Sequence, residues 1–141
     1  MVAIRPALPD DAPELETLLE QLGYSMPADD LRARLARLTT SDADAALVAA
    51  DDGRTIGLIA LHWSTMLHNP APTARITTLI VADEARGRGA GRALVEAAAA
   101  LVRQAGCTIL ELTTALHRED ARAFYESIGF TASSMRLHRD L

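Results

Sequence analysis

The chain contains no lysine: all 14 of its basic residues are arginine. That excludes a Walker-type phosphate lysine, a Schiff-base lysine and acetylation of its own lysine side chains, so any fixed cation it offers a ligand is a guanidinium. Cysteine is nearly absent too. Cys107 stands alone, which rules out an intrachain disulfide or a multi-cysteine zinc site and fits a reducing compartment, the cytoplasm. Long apolar runs are also missing. Stretches such as Ile56 to Leu61 and Ile76 to Ala82 have strand length, far short of the ~20 residues of a membrane helix. The opening residues, Met-Val-Ala-Ile-Arg-Pro-Ala-Leu-Pro-Asp-Asp, lack a basic start followed by a sustained apolar stretch, so no secretory signal and no membrane partner is expected. Acidic residues outnumber basic ones by 19 to 14, for a formal charge of −5, which argues against nucleic acid as a partner while leaving room for a local basic patch.

What remains is a globular balance. With 141 residues, 49% hydrophobic and 23% charged, the chain fits one domain, residues 1–141, around one core that needs no metal or disulfide to fold.

Val2 to Arg5 alternates before Pro6, which suits a short first strand. Asp11 with Glu14 resembles a helix-opening cap, and Leu15, Leu18, Leu19 and Leu22 recur at helical spacing up to Gly23. Pro27 opens a second amphipathic helix striped by Leu31, Leu35 and Leu38. Two β-prone runs, Ala45 to Ala50 and Thr55 to Trp63, flank Asp-Asp-Gly-Arg and predict a hairpin. Leu67 to Thr73 is too rich in Pro and Asn for regular structure. Arg75 to Ala82 reads as a fourth strand, Ala93 to Ala105 as a helix stopped by Gly106, and Thr108 to Thr114 as a strand. Glu119 to Ile128 is the next helix, and Phe130 to Arg139 the closing strand or strands. An antiparallel half joined to one βαβ crossover predicts an α+β fold with a mixed, mostly antiparallel sheet.

The chemistry concentrates in Arg86-Gly87-Arg88-Gly89-Ala90-Gly91-Arg92, between a β-branched strand and an Ala-rich helix. Backbone N–H groups are free there, glycines admit a close phosphate, and the helix dipole favours negative charge. A pyrophosphate suits such a bend better than a single carboxylate. A plain βα turn with solvated arginines competes with this reading, as does a dinucleotide fold with Glu111 on a ribose. Arg92 in the third glycine position and the mid-strand place of Glu111 oppose the latter.

Arg86-x-x-Gly89-x-Gly91 after a strand resembles the pyrophosphate motif of the GCN5-related N-acetyltransferases, the GNAT superfamily. Ala121-Arg122-Ala123-Phe124-Tyr125-Glu126-Ser127-Ile128-Gly129-Phe130 is similar to the family's later hallmark, and the element order agrees along nearly the whole chain. The resemblance implies a GNAT-like sheet of six to seven strands, about four helices, and fourth and fifth strands that splay apart. It further implies acetyl-CoA as cosubstrate, its pyrophosphate on Arg86, Gly87, Arg88, Gly89, Ala90, Gly91 and Arg92 and its pantetheine along Leu79, Ile80 and Val81. The hairpin end from His62 to His68, with Ala85-Arg86-Gly87, Arg103-Gln104-Ala105-Gly106, Glu111-Leu112 and Asp120-Ala121, looks like aminoalkylphosphonate N-acetyltransferases in particular.

Acyl transfer from a thioester to an amine needs a neutral amine, a polarised carbonyl and a proton for the departing thiolate. The family's usual carbonyl donor is a backbone N–H, here that of Ile80 or Val81. Tyr125 is the candidate acid for the thiolate, against the alternative of a core tyrosine beside Phe124. The family often places a Glu at the start of the fourth strand, where this chain has Arg75. Glu111, His62, His68, His117 or a water chain could replace that base. Arg118, where many relatives carry an Asn, could meet a CoA phosphate. Tyr24, His62, Trp63, His68 and Arg75 are the candidate acceptor contacts. Arg75 would favour a carboxylate or phosphonate if it faces the pocket. His62 and His68 form a weak metal signature and no metal is expected. Cys107 reads as a small buried strand residue, not a nucleophile.

The expected function is therefore N-acetylation of a small-molecule primary amine by direct attack in a ternary complex. A protein or peptide N-acetyltransferase and a CoA-binding sensor with little catalysis are the alternatives. A homodimer through the last strand would be ordinary for such folds.

Overall fold

The computed structural model describes residues 1–114 and 119–141. Strands β1 (Val2–Pro6), β2 (Asp44–Asp51), β3 (Arg54–Ser64), β4 (Thr73–Val81) and β5 (Ile109–Glu111) form one sheet in that order. Helices α1 (Ala12–Gln21), α2 (Ala28–Thr39), α3 (Ala90–Gln104) and α4 (Glu119–Ser127) complete the regular structure. The first three pairings are antiparallel and β4 runs parallel to β5, as expected of a hairpin half joined to a crossover through α3.

Five strands form among the described residues, not six to seven. Phe130 to Arg139 makes no strand, and every residue from Thr131 onward is exposed. β5, three residues long, is the edge of the sheet among the described residues. Arg136 reaches back to donate to Thr113 Oγ1 at 3.2 Å.

Asp52 and Gly53 both have positive φ, 51° and 77°, so the hairpin between β2 and β3 closes through a two-residue type I′ turn. Two bulges then shift the sheet. One lies between Ala49 and Ala50 of β2, opposite which Ile56 is unpaired. The other lies between Ala60 and Leu61 of β3, opposite which Thr77 of β4 is the extra residue.

The opening of α1 differs from the expected cap. The Asp11 carboxylate turns away to accept the Leu8 N–H at 2.7 Å and both Arg5 nitrogens, at 2.9 and 2.7 Å. Glu14 instead accepts the Thr55 N–H at 2.8 Å and ties α1 to β3. A fork-on-fork pair with a guanidinium outcompetes a local cap, and Arg5 beside it holds the Asp11 carboxyl below the usual carboxylate range.

Leu47, Val48 and Ala49 are buried in succession, as are Ile56 to Ile59, which requires cover on both sheet faces. α3 supplies one layer. A Cβ on Gly57 would lie 3.0 Å from Leu94 Cδ1 and 3.1 Å from the Ile80 carbonyl oxygen, so only glycine lets α3 settle this close to β3. Leu15, Leu18, Leu31 and Leu35 bury the inner faces of α1 and α2. Cys107 is buried in the connection between α3 and β5, two residues before the strand and not in it as expected, and burial pushes its thiol up from its ordinary value. No helix among the described residues is long and apolar enough to cross a membrane.

Candidate active site

Two regions stand out, one at each end of β4. The first is the glycine bend. β4 leaves the sheet through a short 3-10 turn, Asp83–Ala85, and the chain then passes Gly87 and Gly89, at φ +83° and +80°, into α3. Left-handed residues in such a bend turn backbone N–H groups outward together. Gly89 serves as the N-cap and lets α3 begin at Ala90, earlier than the helical periodicity alone predicts. No acceptor among the described residues meets the N–H groups of residues 87–92. Those of Ala90, Gly91 and Arg92 belong to a first helical turn and have no intrahelical partner to find.

The nearby arginines are not equivalent. Arg86 pairs with Asp83 at 3.2 Å and Arg88 with Asp51 at 3.2 Å, while Arg92 has no ion-pair partner among the described residues. Asp51 also takes the N-terminal ammonium at 2.9 Å, which holds its carboxyl below the usual range. Gly91 is where α4 meets the bend. A Cβ there would lie 3.2 Å from Phe124 Cζ and 3.6 Å from Val81 Cγ2. Tyr125 follows, half-buried, its ring edge-on to Phe124 at 5.4 Å and to Phe130 at 5.8 Å. The expected cofactor residues Leu79, Ile80 and Val81 lead along β4 into this bend, Ile80 buried and its neighbours half-buried.

The second region is a row of polar side chains crossing four strands. Asp44 of β2 stands opposite His62 of β3, His62 opposite Arg75 of β4, and Arg75 opposite Glu111 of β5. Directly paired residues share a sheet face, so all four project to one side. Asp44 Oδ1 lies 3.0 Å from His62 Nδ1, and Arg75 donates from Nη2 and Nε to Glu111 Oε1 at 2.9 and 3.2 Å. An open cavity of about 510 Å³ lies over the row, lined by His62, His68, Arg75 and Glu111 together with Met66 and Asn69. Registered pairing of β4 with β5 ends at Arg75 and Glu111, so the backbone of β4 from Ile76 on has no partner strand on that side among the described residues.

The structure thus brings four of the expected site residues into one cavity. Tyr24 is exposed in the α1–α2 connection, and Trp63 packs partly against the core; neither lines this cavity. His117 and Arg118 lie outside the described residues. Sequence reasoning overlooked Asp44 and its neighbour Ser41, whose hydroxyl donates to Asp44 Oδ2 at 2.6 Å. Nothing in their local pattern marks them, because the His62 partner is assigned by strand register. Among the described residues no group of three or more His, Cys, Asp and Glu side chains is arranged to hold a metal ion.

Among the described residues, then, β4 has no neighbour on its β5 side beyond Arg75, and the amides at the head of α3 have no acceptor. Residues 12–130 match the acetyltransferase (GNAT) family, and the chain belongs to it. It is 34% identical over 94 residues to an aminoalkylphosphonate N-acetyltransferase of Salmonella typhimurium, a match spanning 67% of this chain and 61% of that enzyme. It is also 34% identical to an aminoglycoside N(6')-acetyltransferase type 1 of Stenotrophomonas maltophilia, over 90% of this chain and 84% of that one. Among solved structures, the aminoglycoside N-acetyltransferase AAC(6')-Iy in complex with CoA superposes with a TM-score of 0.88 at 19% identity, covering 100% of this chain and 95% of the other. That likeness establishes the fold.

Proposed function

We propose that the protein is an N-acetyltransferase that moves an acetyl group from acetyl-CoA to the primary amine of a small molecule, by direct attack while both are bound. The observation that supports this reading is the run of N–H groups at residues 87–92 without an acceptor among the described residues, following the stretch of β4 that, among those residues, has no neighbour towards β5. A diphosphate is the ligand such a bend accommodates, since amides and helix dipole both favour it. Arg92 and, after leaving Asp83 and Asp51, Arg86 and Arg88 add charge. The open edge of β4 at Leu79 to Val81 then offers amides to the pantetheine arm and to the thioester carbonyl.

When bound, acetyl-CoA supplies the activated acyl group; the chain supplies placement and proton transfer. An acceptor ammonium gives up two protons on becoming an amide, one to a base and one to the departing thiolate. Tyr125 donates the latter. Arg75 lines the cavity, and Glu111 engages it through Oε1 only. Arg75 can thus meet an acidic group on the acceptor while Glu111 Oε2 holds its ammonium, a disposition that suits an aminoalkylphosphonate or an amino acid better than a polyamine.

Two measurements test the reading. Acetyl-CoA at 100 times its Kd should stabilise the fold by ~2.7 kcal/mol, several degrees of melting temperature for a chain of this size; an unchanged melting curve refutes CoA binding. A thiol-release screen over amino acids, aminoalkylphosphonates, polyamines and aminoglycosides then reads activity. Binding with no release from any of them would favour a CoA-binding sensor, the second reading, which rests on the arginine that stands where the family often has a catalytic acid.

A further inference from the structure

We infer that His62 accepts the proton of the acceptor amine, and that Asp44 and Ser41 set its tautomer, an assignment resting on the acetyltransferase reading. The hydrogen bonds dictate the direction of each donor. Ser41 Oγ accepts the Ala43 N–H at 3.2 Å, so its own proton points to Asp44 Oδ2, 2.6 Å away. An ionised carboxylate only accepts. Its other oxygen, Oδ1, therefore requires a proton on His62 Nδ1 at 3.0 Å, which leaves the Nε2 lone pair as the ring's acceptor. His62 is half-exposed and lines the cavity, so that lone pair is open to a ligand there.

The neighbouring groups fit the role. Arg75 faces His62 from β4, Glu111 lies one strand beyond on β5, and His68 shares the cavity from the β3–β4 connection. Glu111 already spends one oxygen on Arg75, whereas Nε2 of His62 has no partner among the described residues. In the step itself, an N–H bond of the acceptor ammonium breaks and an N–H bond to Nε2 forms. The positive charge passes to the imidazolium, and Asp44 stabilises it as it develops. The proton then leaves to solvent, and the freed amine lone pair attacks the thioester. His62 is a catalytic residue in this account; Asp44 and Ser41 are positioning residues.

Long-range proton–nitrogen NMR of the free protein, with His62→Gln used for assignment, should find His62 protonated at Nδ1 in the neutral ring. Kinetics follow with whichever of 2-aminoethylphosphonate, spermidine and kanamycin the wild type acetylates fastest. His62→Gln should lower kcat by about 100-fold or more and abolish the acid limb of the kcat/KM profile, with the melting shift from acetyl-CoA intact. Asp44→Asn should move the proton to Nε2 and lower kcat on the order of tenfold with little change in KM, which a purely structural strand contact would not produce. A wild-type ring protonated at Nε2, or a His62→Gln enzyme that keeps its rate and acid limb, overturns the assignment and leaves the acetyltransferase reading standing. Absence of any acetyl-CoA melting shift in the wild type sinks both.

Discussion

Arg75 and Glu111 close the parallel ladder: they are its last registered pair, and two guanidinium nitrogens of Arg75 converge on a single carboxylate oxygen of Glu111. Both side chains line the same cavity, and among the described residues Arg75 Nη1 and Glu111 Oε2 have no hydrogen-bond partner. Arg75→Gln should raise KM for 2-aminoethylphosphonate by about 10- to 100-fold, the equivalent of a lost hydrogen bond to a charged group at ~1.5–3 kcal/mol. Spermidine, which has no acidic group, should be almost unaffected. Both partners are nearly half exposed, so melting should hardly change. Equal losses for both acceptors would remove the acidic group from the specificity argument.

Gly89 sits at φ +80° with open space around the position of a Cβ. Gly89→Ala therefore strains the backbone without a clash, at about 1 kcal/mol. It should weaken acetyl-CoA binding by more than this stability loss accounts for, because the amides of the bend are re-aimed. Isothermal titration and thermal melts of the same variant separate the two effects.

Tyr125→Phe keeps the edge-on contacts to Phe124 and Phe130 and removes only the hydroxyl. We expect kcat to fall by ~10²–10⁴-fold while the affinity for acetyl-CoA stays constant. An unchanged kcat would return Tyr125 to a packing role.

Asp11, buried against Arg5 and the Leu8 amide, makes a prediction about acid stability. The Arg5 hydrogen bond lowers its folded pKa, so the stabilisation is complete above the ordinary carboxylate range and disappears as pH falls through the lowered folded value. Asp11→Asn should cost about 1.5–3 kcal/mol at neutral pH and flatten the decline of stability between pH ~4 and the acid limit. Urea melts at pH 7 and pH 3 measure both. A variant as pH-sensitive as the wild type would assign the acid lability elsewhere.

Much of the fold is legible in local pattern. Asp52-Gly53 announces the tight turn, the leucine stripes of α1 and α2 match their buried faces, and the alternating glycines before α3 mark the left-handed bend that opens it. These features are legible because each depends on the conformational range of one residue or on a period of a few residues. Strand content at the C-terminus is not legible in this way. Met135-Arg136-Leu137 alternates as a strand should, yet a strand exists only where a neighbour pairs with it, and among the described residues none does.

The cavity lined by His62, Arg75 and Glu111 depends most on long-range structure. Counted from the type I′ turn without interruption, β2 and β3 would set Asp44 opposite Leu61; the bulge at Ala49 and Ala50 moves it to His62. Without the second bulge, His62 would face Ile76 instead of Arg75. A one-residue slip reverses every side chain beyond it, so these two irregularities align Asp44, His62, Arg75 and Glu111 on one face. The chain's own order of residues dictates the turns, the helical faces and the glycine bend, because those follow from short-range sterics and burial. Which polar side chains meet across the sheet is settled by register, and register emerges only when all the strands and the helices covering them pack together.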